Sequence, residues 1–151
     1  MTDQDNVIEL LKDAYFDELE TVMNYLSNSI HLDGVRAEEV KESLDQDVDE
    51  ELTHARELGN RLKQLGEHPP GSFDFDPTQQ TLQPQEDSTD VLSVIEGVIE
   101  AEKDAIELYR DLIKAADAAD DPVTEDIAVG ILRDEEEHLT QFRGFRKEYR
   151  K

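Results

Sequence analysis

Apolar residues recur every three or four positions through most of this chain, the spacing that lines one face of an α-helix. One stripe reads Ile8, Leu11, Tyr15, Val22, Tyr25, and a second reads Val40, Leu44, Val48, Leu58, Leu62, Leu65. A third reads Ile95, Val98, Ile99, Ile106, Tyr109, Ile113, and a fourth Ile127, Ile131, Phe142, Phe145. The stripes predict helices over about 5–32, 37–65, 89–118 and 122–148. Asp33-Gly34 ends the first, where glycine suits a left-handed C-terminal cap. The second opens on the acids Glu38 and Glu39 and ends at Gly66. Residues 67–88 hold four of the five prolines and form the one long linker. Asp120-Asp121-Pro122 is a helix start, an acidic cap followed by proline at the first helical position.

Two short turns make two antiparallel hairpins, and a linker of this length runs the height of a bundle and joins them. The expected fold is all-α: an antiparallel four-helix bundle with one long crossover between helices two and three. At 151 residues it forms a single domain, 1–151, with one real core.

Each apolar stripe carries one glutamate: Glu18, Glu51, Glu102 and Glu135. Glu51 and Glu135 each begin a Glu-x-x-His, with His54 and His138, and each has a partner 33 residues upstream, Glu18 and Glu102. Tyr25 and Tyr109 keep the same step, so the first half recurs 84 residues later. Glu18 and Glu51 lie 16 and 17 residues either side of Gly34. At 1.5 Å per residue both stand about 24–26 Å from the turn, at one height. Glu102 and Glu135 are likewise centred on their own turn. A carboxylate in an apolar stripe is costly unless paired or metal-bound, and four at one level require a cation between them.

Carboxylates and imidazoles suit first-row metals such as iron and manganese. Glu and His three apart project from one helix face and reach one ion. Four carboxylates with two neutral histidines balance two divalent ions and make the inward ligand set of a two-metal site: Glu18, Glu51, His54, Glu102, Glu135 and His138. Metal binding then releases protons and stabilises the fold. Glu20, Glu96, Glu100, Glu107, Glu136 and Glu137 leave the stripes and are expected in solvent, as are His31 and His68. Tyr25 and Tyr109 either fill the core or turn their hydroxyls to the ligand carboxylates. Glu50 and Asp134, each directly before a ligand glutamate, are candidates to orient the histidines.

Composition narrows the setting. The chain has no cysteine, which removes disulfides, thiolate metal sites and cysteine nucleophiles. Its net charge of −24 argues against nucleic-acid binding. No apolar run is long enough to span a membrane, and the N-terminus lacks signal-peptide character, so a cytoplasmic location is expected. Acids spread along the whole chain point to a solvated shell suited to high salt, as in a halophile.

At these residues the chain resembles the ferritin-like superfamily, and bacterioferritin in particular. The segments Asp17 to Tyr25, Glu51 to Ala55 and Ile131 to His138 look like that family's helix motifs. The resemblance covers about residues 5–148, linker included. It implies that Glu51 and Glu135 bridge two iron ions, Glu18 and Glu102 bind at the ends, and His54 and His138 bind one iron each. It also implies oxidation of ferrous iron by oxygen or peroxide. Leu52 stands where the family's haem-binding methionine would fall, so no haem is expected. The chain ends with helix four, without the short fifth helix of cage-forming relatives. The expected assembly is a homodimer through helices one and two. Rubrerythrins, di-iron or di-manganese peroxidases, are the nearest rival, but Ala105 stands near where they carry a further ligand glutamate, and a cysteine-ligated iron domain is absent.

Overall fold

Thr2 starts the first helix: its hydroxyl accepts from Asp5 N while the Asp5 carboxylate accepts from Thr2 N, a reciprocal capping box. In the computed structural model, which describes residues 1–150, this helix, α1, spans Asp3–His31. It is followed by α2 (Glu38–Gln64), α3 (Val91–Ala118) and α4 (Pro122–Tyr149), with no strand among the described residues. Helix α3 begins two residues later than the stripe predicts, because Asp90 takes the N-cap and accepts from Ser93 N.

Two of the expected helix ends close as the sequence implies. Gly66, at φ +89°, follows the C-cap Leu65, and Gly66 N and Glu67 N donate to Lys63 O and Leu62 O. Asp120, at φ +53°, does the same for α3, and Asp121 then caps α4 by accepting from Thr124 N, with Pro122 opening the helix. Arg61 of α2 donates to Asp121 Oδ1 at 2.8 Å and ties this turn to the first hairpin. The first hairpin differs from expectation. The cap of α1 is Leu32, in extended conformation. Gly34, at φ +102°, turns the chain one step later, into the short 3-10 segment Val35–Ala37 that leads into α2.

Helix α1 packs along α2 and α3 along α4, and the hairpins meet mainly through α1 against α3. The core falls into two apolar clusters. One gathers Leu44, Ile95, Ile99 and Phe142 around Tyr25, and the other gathers Leu11, Leu58, Leu112 and Ile131 around Tyr109. In α1 the buried face is Val7, Leu11, Ala14, Glu18 and Tyr25, while Ile8, Tyr15 and Val22 of the predicted stripe are only half-buried.

Along α1, from about residue 17 to residue 33, lies the linker. Glu20, expected in solvent, is buried under it and accepts from Thr78 N at 3.0 Å and Gln79 N at 2.8 Å. The Gln79 amide donates to Asp17 and Thr21, and Asn28 donates to Leu82 O. The exposed His31 meets Gln85 O, and Asp33 N donates to Ser88 O. The counterparts of Asp17, Thr21 and Asn28 at the 84-residue offset are Ala101, Ala105 and Leu112, so of these anchors α3 keeps only an acid, Asp104, in the place of Glu20.

Gly97 lets the linker approach α3. A Cβ there would lie 2.1 Å from Thr81 O, and the Thr81 hydroxyl donates to Gly97 O. Gly97→Ala therefore pushes the linker backbone outward. We expect a loss of about 1–3 kcal/mol in urea unfolding, the usual range for overpacking, with faster amide exchange around Gln79.

Candidate metal centre

Between the two apolar clusters, each helix turns one glutamate to the bundle axis: Glu18 from α1, Glu51 from α2, Glu102 from α3 and Glu135 from α4. His54 and His138 follow one turn after Glu51 and Glu135. None of the six is more than 4% exposed. All six residues singled out by spacing thus meet at one level.

The contacts are crosswise. His54 Nδ1 lies 3.5 Å from Glu18, 3.9 Å from Glu51 Oε2 and 3.1 Å from Glu135 Oε1. His138 Nδ1 lies 3.2 Å from Glu51 Oε1, 3.7 Å from Glu102 and 3.6 Å from Glu135 Oε2. Glu51 and Glu135 each give one oxygen to each imidazole, whereas Glu18 and Glu102 each serve one. Two four-residue groups result, Glu18–Glu51–His54–Glu135 and Glu51–Glu102–Glu135–His138, each with candidate ligand atoms within 4.8 Å of one another. Glu51 and Glu135 belong to both.

The outer atoms of these side chains are tied down. His54 Nε2 meets Asp134 Oδ2 at 2.8 Å, and His138 Nε2 meets Glu50 Oε2 at 2.9 Å, each across to the other hairpin. An Nε2–H donated outward leaves Nδ1 of a neutral ring free to face the centre. The Tyr25 hydroxyl donates to Glu102 Oε1 and the Tyr109 hydroxyl to Glu18 Oε1, each at 2.5 Å. Both tyrosines thus fill the core and hold a carboxylate.

The inner atoms are not tied down. Glu18 Oε2, Glu51 Oε1, Glu102 Oε2, Glu135 Oε1 and both Nδ1 atoms are buried with no hydrogen-bond partner among the described residues. Orphaned buried polar atoms are costly. Here each of the six side chains supplies one, all turned to the same space, and their donor types fit first-row divalent ions.

Electrostatics point the same way. Burial, then the charge of Glu135, raises Glu18 to about 7. Burial and Glu18 raise Glu51 to about 8. Burial and Glu135 hold Glu102 well above the carboxylate range. Burial by itself lowers His54 and His138, but the carboxylates around each ring outweigh it and hold both far above the imidazole range. Carboxyls and imidazoles raised together in so small a space mark a place where added cationic charge is favoured.

A sequence profile of the ferritin-like domain matches residues 8–151. The chain belongs to the ferritin-like domain family. It is 31% identical over 144 residues to a bacterioferritin of Brucella melitensis, covering 92% of this chain and 81% of that one. It is 27% identical over 144 residues to the DNA protection during starvation protein of Pyrococcus furiosus, covering 93% of this chain and 76% of that one. Among solved structures it superposes on the bacterioferritin of Desulfovibrio desulfuricans, whose di-iron site was captured in different catalytic states. The TM-score is 0.84 and the identity 24%, over 99% of this chain and 85% of that one. At that identity the superposition speaks for the fold.

Two further carboxylates border this ferritin-like centre and escape the sequence reading. Asp47 is 5% exposed, and its Oδ1 lies 3.4 Å from His138 Nε2. Asp17 is held by Gln79. Burial raises both to about 7, with the charges of Glu51 and Glu102 adding to it. A signal for Asp47 existed: 40, 44, 47, 51, 54, 58 is a continuous ladder of threes and fours, in which Val48 is half-buried and Asp47 takes the inward slot. Leu52, by contrast, faces outward and lines a cavity of about 350 Å³ with Tyr15, Leu19 and Gly59.

Proposed function

We propose that this centre binds two divalent ions and oxidises ferrous iron, a ferroxidase of bacterioferritin type serving iron storage and detoxification. Glu51 and Glu135 bridge the ions, Glu18 and Glu102 close the two ends, and His54 and His138 bind one ion each. The observation that carries this reading is the sharing of Glu51 and Glu135 between both imidazoles. Iron is the substrate here. Two ferrous ions together give up two electrons, enough to reduce one peroxide to two waters or one oxygen to one peroxide. The chain's part is to hold the ions at a fixed separation, to supply negative charge that favours the ferric state, and to return protons from the displaced carboxyls and imidazoles. Tyr25 and Tyr109 hold the end carboxylates in place during that exchange.

Near-complete burial favours small reactants over an organic substrate. The rival reading is a di-iron or di-manganese peroxidase or oxidase of rubrerythrin type, and it predicts peroxide turnover far outpacing iron turnover. A haem-free state is proposed from Leu52, and a homodimer from the exposed apolar face of α1, where Met23 is 63% and Ile30 72% exposed. One relative is named for DNA protection, but a net charge of −24 argues that any such protection here acts through iron and oxidant, not through DNA contact.

An anaerobic ferrous titration should saturate near two ions per chain. Admitting air or peroxide should then produce ferric-oxo absorption in proportion to the iron bound. Tight binding with no oxidation under either oxidant would remove the ferroxidase reading.

A further inference from the structure

The 84-residue repeat makes the two halves of the centre near-equivalent. Glu18, Glu51 and His54 map onto Glu102, Glu135 and His138, Tyr25 onto Tyr109, and Glu50 onto Asp134. The outer carboxylates also match in exposure. The Glu50 and Asp134 side chains are 38% and 36% exposed, so their effects on the two imidazoles are similar and cancel in any comparison.

Asp47 breaks the match. Its counterpart at the same offset is Ile131, an apolar core residue. His54 Nε2 therefore faces the carboxylate of Asp134, whereas His138 Nε2 faces two, Glu50 at 2.9 Å and Asp47 at 3.4 Å. The Asp47 side chain is only 7% exposed, so water and salt screen it far less than they screen Glu50. Its second oxygen, Oδ2, is buried without a hydrogen-bond partner among the described residues. Packing alone does not account for a buried carboxylate with an orphaned oxygen.

We propose that Asp47 makes the two metal positions unequal, so that the position of Glu51, Glu102, Glu135 and His138 takes its divalent ion first and holds it more tightly. This rests on the two-metal reading given above. Asp47 is a positioning residue: it acts through the His138 ring, as a second carboxylate 3.4 Å from Nε2, buried beside one position only. A carboxylate behind a ligating histidine is worth 10- to 100-fold in metal affinity. The two steps should therefore be separable.

The test is an anaerobic titration of the full chain with cobalt(II), followed by its visible absorption and by calorimetry. The native protein should show two steps with dissociation constants at least about tenfold apart. Glu102→Gln should remove the tight step, and Glu18→Gln the weak one. Asp47→Ile, which copies Ile131, should weaken the first step by about tenfold and leave the second unmoved, bringing the two constants together. Asp47→Asn keeps the shape and should narrow the gap in the same direction, covering the case in which the isoleucine variant does not fold. Two ions bound with an unchanged gap in both Asp47 variants, or with both steps weakened equally, would overturn the asymmetry alone. Failure of the native protein to bind cobalt at all would overturn the two-metal reading with it.

Discussion

Replacing Glu51 and Glu135 together by glutamine should raise the melting temperature of the metal-free protein and abolish its response to metal. Glutamine keeps the shape and needs no proton. In the native chain without metal, burial and Glu18 raise Glu51 to about 8, so the folded state keeps a proton there or bears a buried charge that two imidazoles, shared among four glutamates, balance only in part. Each unit of such a shift corresponds to about 1.4 kcal/mol, so relief at Glu51 alone is on the order of a few kcal/mol. For a chain of this size, 1 kcal/mol moves Tm by roughly 2–4 °C. On the proposed reading, metal is what stabilises the native protein. An ion at a hundred times its dissociation constant contributes about 2.7 kcal/mol per site. The double variant loses both bridges, so ferrous or manganous ions should leave its Tm unchanged and its iron oxidation should fall to background. Scanning calorimetry with and without metal checks both halves. A metal-free variant less stable than native, or one still stabilised by metal, would contradict the placement of these two glutamates.

The second large effect is a stability profile that reverses with metal. Glu18 and Glu51 are raised in the folded state from an ordinary 4.5 to about 7 and about 8, and both histidines are raised above their ordinary 6.5. Folding therefore takes up protons at all four groups. Their contribution is complete below the unfolded values and is lost as pH rises through the folded ones, by up to about 1.4 kcal/mol per pH unit for each proton held. For the glutamates that window runs from about 4.5 to 8. The metal-free protein should thus lose stability steadily from pH 5 to pH 8. Metal displaces those protons, so its affinity and its stabilisation grow over the same interval. The gap between metal-loaded and metal-free Tm should be small near pH 5 and widest near pH 8. A gap independent of pH would show that the bound ions displace no protons.

The fold was legible because its punctuation is chemical. Gly66 and Asp121-Pro122 end and begin helices by mechanisms that the backbone hydrogen bonds display. The centre was legible because two independent constraints met at the same residues. Distance from each turn fixed the height of Glu18, Glu51, Glu102 and Glu135, and the apolar stripes fixed their direction. What stayed hidden depends on long-range contact. Glu20 reads as a surface acid until the linker lies over it and supplies the amides of Thr78 and Gln79. Thr21, Asn24 and Asn28 are likewise buried where Gln79 and Leu82 of the linker bond to them. The step of the turn that Gly34 takes is not encoded locally, because a left-handed glycine serves a helix end and a loop bend equally well. Asp47 is hidden by its neighbour, since Val48 is the more apolar of the two while the spacing of the inward face falls on Asp47. The crosswise pairing of His54 with Asp134 and His138 with Glu50 required the two hairpins to be docked.

The central claim is that two ions sit between four glutamates and two imidazoles at the waist of the bundle. Anomalous diffraction from crystals grown with manganese and soaked in ferrous iron tests it most directly. The expected maps contain two peaks per chain, about 3.5–4 Å apart as in other two-metal sites, with Glu51 and Glu135 touching both. One peak is expected within reach of His54 and Glu18, the other within reach of His138 and Glu102. A single peak, or peaks only on the acidic surface, would contradict the account.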